Sequence, residues 1–221
     1  MEVEFPEQVV NPTDIQIVAN GKEVGTSQAF EVDSIPYQVI EVHAVFNMNG
    51  ENYTTEKTSF TVQEKNNQRI QLQLSTDDLK RISDAEEARK LKEKEAQKSE
   101  EEKSKILNFL NEYRSAVFSS VANRSNTYAR YYDTQSPAYK DMVDFTTGGG
   151  VRRAKIDYYR QGALEIQGIT EENGIVTVKT YEDFTVYYVD SSRTSQNCKN
   201  KTYTLRRMGD SFVILDIVVD F

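Results

Sequence analysis

The sequence predicts two folds joined by a long helix: a small all-β, sandwich-like module, a charged helical spacer, and an α+β domain with helices packed on a curved antiparallel sheet. Three observations carry this prediction. Short apolar-alternating runs broken by turn residues fill residues 1–76, a charge-dense run at 77–105 passes unbroken into ILNFLNEYRSAVFSSV, and four long strand-like runs close the chain. The boundaries follow as 1–76, 77–105 and 106–221.

The β module reads turn by turn. After a short polar lead containing Pro6 and Pro12, Ile15, Ile17 and Ala19 alternate as a half-buried strand does, and Asn20-Gly21 supplies the positive-φ pair of a tight hairpin. The return strand starts at Lys22. Ser34, Ile35, Pro36 and Tyr37 form a turn into a strand carrying Val39, Ile40, Val42, Ala44 and Phe46, and Asn49-Gly50 signals a second hairpin before Tyr53. Phe60 with Val62, then Ile70 with Leu72 and Leu74, mark two further runs on either side of a polar turn at 64–68. Six or seven short strands at this spacing make a small β-sandwich. His43 lies within one of these strands and is read as structural, because acid–base work needs a positioned partner.

From residue 77 to 105 there are 19 charged residues in 29, ten acidic and nine basic, with the signs interleaved. Glu86 precedes Lys90 by four and Glu101 precedes Lys105 by four, the orientation that favours a helix. Ser75 or Thr76 caps its start, and Asp77 and Asp78 sit in the first turn, where the helix dipole welcomes negative charge. Such a segment is a solvated helix, about 40 Å long at 1.5 Å per residue. It acts as a semi-rigid spacer. Past Lys105 the helix gains a buried stripe of Ile106, Leu110, Tyr113, Val117 and Val121, at steps of four, three, four and four.

A second helix is predicted at 125–132 from an Asn123 or Ser125 cap, and a third at 137–145 with Pro137 in its first turn. Gly148, Gly149 and Gly150 then read as a flexible loop. They are not a phosphate loop, because Val151, Arg152 and Arg153 stand where Lys and Ser or Thr must follow. Strands at 158–169, 175–190, 197–208 and 211–221 form an antiparallel meander, separated by Asn173-Gly174, the polar 191–196 and Gly209-Asp210. In the second of them Val176, Val178, Phe184, Val186 and Tyr188 share one face, and Lys179, Tyr181, Asp183 and Tyr187 the other. The last strand is apolar on both sides of Asp216 and is expected to be central and covered.

Composition excludes several function classes. A net charge of −8 argues against nucleic-acid binding, which needs a basic face to release counterions from phosphate. One His and one Cys, Cys198, can build neither an ordinary structural zinc site nor an intrachain disulfide. No apolar run approaches the ~18–20 residues of a membrane span. No cofactor is expected, and the sequence is silent on oligomeric state.

The run from Asn20 to Gly25 (NGKEVG), the Ile35-Pro36 turn and the strand VHAV at 42–45 resemble β-modules of TcaA-type, teicoplanin-resistance-associated proteins of Gram-positive envelopes. From about residue 100 onward, three helices, four long strands, the Asn173-Gly174 turn and the closing YTLRRMGDSFVILD at 203–216 resemble the nuclear-transport-factor-like cone fold. Together the parts look like the extracytoplasmic end of the TcaA-type family. That resemblance implies a parent protein with a zinc ribbon and a membrane helix ahead of this stretch. Membrane attachment is therefore expected only through an upstream anchor, with the domain at the cell surface and a role near wall integrity and antibiotic response.

Within the cone domain the candidate binding residues are Glu182, Phe184, Tyr188, Arg206 and Asp216. The resemblance also supplies the enzymatic alternative, since enzymes of the cone fold use pocket carboxylates, Tyr or His, and here Asp216, Glu182 and Tyr188 are the candidates. The domain has no His. Asp216 is expected to pair with Arg206 or Lys179 on a neighbouring strand. Tyr and Arg on strand faces suit glycans or polymer phosphates, through stacking and bidentate contacts. The expected function is noncatalytic binding of a cell-wall polymer or an envelope protein; the alternatives are a small-molecule enzyme of the cone fold and a purely structural spacer.

Overall fold

A computed structural model of the chain describes residues 1–33, 35–63, 68–190 and 192–220. The chain divides into two compact units, Met1–Lys94 and Glu95–Phe221. The turn expected at 64–68 falls almost wholly outside the described residues, as do Ser34, Ser191 and Phe221.

The first unit holds two sheets. One contains β2 (Thr13–Ala19), β3 (Lys22–Gly25), β4 (Val39–Met48) and β5 (Glu51–Thr54) in the order β3-β2-β4-β5, with β6 (Thr58–Thr61) also paired to β4. The Asn-Gly pairs behave as expected. Asn20, Gly21, Asn49 and Gly50 all have positive φ, which the twist of two-residue hairpins requires. In β4 every second residue from Ile40 to Met48 is buried, and His43 lies half-buried on the alternate face, away from that core. The second sheet corrects the reading of the N-terminus as a plain polar lead. β1 (Glu2–Glu4) pairs in parallel with β7 (Arg69–Gln71), and Val3 is buried with Ile17, Phe30, Val42 and Ile70. A single apolar residue between two glutamates carries too little periodicity to announce a strand.

One helix, α1 (Thr76–Asn123), runs through the junction of the two units. Ser75 caps it: its Oγ accepts from the Asp78 amide at 3.1 Å and donates to the Asp78 carboxylate at 2.9 Å. Its first turns are not pure spacer, since Ile82 is buried and Leu79 packs beside it against Phe46, Met48 and Leu74. Residues 83–101 are exposed throughout. There Lys90 pairs with Glu86 at 2.8 Å, a contact that holds the Glu86 carboxyl below its usual range. The apolar stripe from Ile106 to Val121 is buried as its spacing requires.

In the second unit the meander is complete. The sheet runs β11-β10-β9-β8, built from β8 (Ile156–Glu172), β9 (Ile175–Tyr188), β10 (Thr194–Met208) and β11 (Ser211–Asp220), all antiparallel. Its inner face packs on α1, on a 3₁₀ helix at Thr127–Tyr131 and on α2 (Pro137–Thr146) through Ile106, Leu110, Tyr128, Val176, Leu205 and Ile214.

Three expectations are corrected here. The second helix is one 3₁₀ turn rather than an α-helix, and Asn126 at its start makes no side-chain cap. The glycine triplet is an ordered corner. Gly149 has φ 100°, Gly150 approaches the Phe145 backbone too closely to carry a Cβ, and a short α3 (Gly150–Arg153) begins there. Finally, β11 is an edge strand, not a central one. Thr204 pairs with Asp216 but Leu205 pairs with Ile214, so Leu215 is an extra residue in a β-bulge. Phe212 and Ile214 face inward before the bulge. Beyond it the alternation is reversed: Ile217 packs on the core, while Asp216 and Val218 are exposed.

Candidate functional site: a closed inner face and an open outer face

Strand β9 builds both candidate surfaces, because consecutive residues of a strand point to opposite faces. Glu182 faces inward and is fully buried. Arg114 of α1 reaches it, with Nε 3.2 Å from Oε2 in an ion pair that lacks the alignment of a hydrogen bond. Lys201 of β10 donates to the same oxygen at 2.9 Å. Tyr203 and, at 3.3 Å, Thr180 donate to Oε1. The rest of the Arg114 guanidinium donates to the backbone carbonyls of Asp183, at 2.8 Å, and Gly162, at 3.5 Å. Buried charge is tolerable only with this density of partners.

Deeper in, phenols fill the space between sheet and helices. The Tyr113 and Tyr132 hydroxyls bond to one another, and Tyr128 shares a hydrogen bond with Thr146. Tyr113 meets Tyr131, Tyr132 and Tyr203 edge to face. Burial pushes the Tyr113, Tyr132 and Tyr203 hydroxyls well above the ordinary phenol range; for Tyr203 the neighbouring Glu182 carboxylate adds to it. Burial likewise pushes Tyr159 up, to about 12. Such phenols stay protonated and act as hydrogen-bond donors rather than bases.

The five residues singled out in the sequence divide between the two faces. Glu182, Phe184 and Tyr188 share the inner side of β9. Phe184 packs against Phe118 and Tyr159, and Tyr188 lies under the Arg193 guanidinium at 4.3 Å. Arg206 and Asp216 are exposed on the outer side. The pairing expected of Asp216 with Arg206 or Lys179 is not made among the described residues: Arg206 donates to Asp133 at 2.8 Å, while Asp216 accepts from the Ile217 amide. The bulge at Leu215 turns Asp216 to the same outer side as Arg206, opposite Thr204, but the Arg206 guanidinium is taken by Asp133.

Sequence reading missed Arg114, Lys201 and Gly162. For Arg114 a signal exists. It stands four residues after Leu110 and three before Val117, so it is a charge on the buried stripe of α1.

The outer face carries a regular lattice. Tyr158, Tyr187 and Thr194 form one cross-strand row, Arg160, Thr185 and Gln196 the next, and Asp183 pairs with Cys198 in the third, opposite the β8 irregularity at Gly162. The Tyr158 and Tyr187 rings stack at 4.3 Å with 8° between their planes. Beside them Arg160, Gly162, Asp183, Thr185 and Gln196 line a hollow of about 250 Å³. Among the described residues no group of three or more His, Cys, Asp or Glu side chains is placed to hold a metal ion, and no helix is long and apolar enough to cross a membrane.

A family model described as the TcaA protein NTF2-like domain matches residues 102–218. No curated protein matches the chain. Among solved structures, Bd1075 of Bdellovibrio bacteriovorus is similar at 15% identity and a TM-score of 0.38. The match covers 74% of this chain and 48% of that one, so it spans about half the length of that protein.

Proposed function

Taking as premise that this chain belongs to the TcaA family through its NTF2-like domain, we propose that it is a noncatalytic, extracytoplasmic binding module of a membrane-anchored envelope protein, with a cell-wall component as its ligand. One observation carries the reading: the face of the domain that could house chemistry is filled, and the face free of helices is furnished for contact. Tyr113, Tyr128, Tyr132 and Tyr203 occupy the interior, and Glu182 is taken up by Arg114, Lys201, Thr180 and Tyr203. A general base needs a free lone pair within reach of substrate. Glu182 is fully buried with both oxygens engaged, out of reach of a substrate, and Asp216 stands outside. Tyr158, Arg160, Tyr181 and Tyr187, by contrast, lie on the outer side of a rigid sheet, the type of amphipathic and cationic side chain that dominates contact surfaces. A link to wall stress or antibiotic response follows from the family alone. The test is co-sedimentation of the purified chain with purified Gram-positive wall sacculi: retention in the pellet is expected, and a chain left wholly in the supernatant overturns the proposal.

A further inference from the structure

Around the hollow on the outer face, hydrogen-bonding capacity is left unused. Arg160, Thr185 and Gln196 make no side-chain hydrogen bond or ion pair among the described residues, yet their positions on three adjacent strands converge on the same 250 Å³. Asp183 lines it too, and its Oδ1 is buried without a hydrogen-bond partner. That oxygen is packed against Gly162, so the other oxygen of the carboxylate is the one a ligand can reach. The hollow is also built rather than incidental. Gly162 makes room for the Asp183 carboxylate, since a Cβ there would lie 1.5 Å from Oδ1. From the inner side Arg114 holds the carbonyls of both Gly162 and Asp183, so the ionic core fixes the floor of the hollow.

The chemistry selects a ligand class. Facing the hollow are one cation, Arg160, and one anion, Asp183, with Thr185 and Gln196 neutral; a polyanion would meet the carboxylate and gain nothing net. A bound peptide would want apolar side-chain pockets, whereas the side chains that line this hollow are mostly polar. Sugar hydroxyls both donate and accept, which matches a carboxylate, a guanidinium, an amide and a hydroxyl in one place. The Tyr158 ring, 41% exposed at the sheet margin, offers an apolar flank for the C–H face of a pyranose. The volume is below the ~300–1,000 Å³ of sites that enclose a drug-sized ligand. It therefore suits one ring of a chain lying across the sheet.

We propose that the hollow lined by Arg160, Gly162, Asp183, Thr185 and Gln196, with Tyr158 in the adjacent cross-strand row, binds one residue of a neutral glycan. The proposal rests on the wall-binding reading above and names its site and ligand chemistry. It is tested by NMR titration of the full chain with a β-1,4-linked N-acetylglucosamine tetrasaccharide, beside a glycerol-phosphate oligomer and the sacculus assay. The expected result is amide shifts confined to 158–162, 183–187 and 194–198, with affinity changing less than about twofold as salt screens charge. Tyr158→Ala, Arg160→Ala and the isosteric Asp183→Asn each weaken binding about tenfold or more, as loss of a central contact does, while far-UV circular dichroism is unchanged. Tetrasaccharide binding untouched by all three variants overturns the site. Salt-sensitive binding of the glycerol-phosphate oligomer alone overturns the neutral-glycan class and leaves wall binding standing. Sacculus retention with no response to either oligomer does the same. No retention and no shifts overturn both proposals.

Discussion

Glu182 and Asp183 are adjacent carboxylates on one strand, and they have opposite surroundings. Glu182 faces two cations and two hydroxyls, and both of its oxygens accept a hydrogen bond. Asp183 faces a hollow in which Arg160, Thr185 and Gln196 are unengaged and its own Oδ1 lacks a partner. The contrast separates what holds the domain together from what it can offer. Satisfied polar groups inside a core specify structure, whereas unsatisfied ones held on rigid strands are free to meet a ligand. Arg114 joins the two, because its guanidinium touches Glu182 and also the backbone that carries the hollow.

The inner face should break hardest. Glu182→Ala leaves Arg114 and Lys201 without their counter-charge in a dry site, and a loss of about 3–5 kcal/mol in urea-unfolding stability is expected. Removing Arg114 as well, in Glu182→Gln with Arg114→Met, should cost much less than the sum of the single changes. If the double variant costs the full sum, the two residues are not a unit.

The link between the faces comes next. Gly162→Ala drives a methyl group into the Asp183 carboxylate, and overpacking of this kind costs about 1–3 kcal/mol. Adding Asp183→Ala should restore most of that loss. No recovery in the double variant would mean that the glycine serves its own backbone rather than the carboxylate.

A third distinction lies in pH. Tyr113 and Tyr203 have folded values raised well above the phenol value of 10.0, chiefly by burial. The folded state therefore holds protons that the unfolded chain releases. Their stabilisation is present in full below pH ~10 and declines as pH rises above it. Alkaline titration followed at 295 nm should show exposed phenols ionising first and the buried set only with loss of near-UV circular dichroism. A single smooth titration of all phenols in the folded protein contradicts a closed interior.

The smallest effect is expected on the outer side. Arg206 pairs with Asp133 in solvent, and such pairs contribute little. Arg206→Ala should leave the urea midpoint unchanged within error.

Much of this fold was legible because local physics decided it. The Asn-Gly hairpins, the Ser75 cap and the stripe from Ile106 to Val121 all act within a few residues, and each stands where the sequence puts it. The errors arose where distant partners decide. The pairing of β1 depends on β7, more than sixty residues away. Placing Asp216 depends on a one-residue bulge, and a strict period of two assigns every side chain beyond such a bulge to the wrong face. The candidate site was half legible. Glu182 was named as a pocket carboxylate through the resemblance to the cone fold, but the three strands that surround the hollow come into register only through the sheet.

The solvated stretch of α1 at 83–101 has a consequence of its own. None of its side chains is withdrawn from water, so its helical order rests on propensity and on pairs such as Glu86 with Lys90. Its amides can open without disturbing either core, on a free-energy scale far below that of global unfolding. Hydrogen exchange there is expected to run ahead of both ends of the same helix, and the peptide bonds after its lysines and arginines are where a trypsin-like protease is expected to cut first.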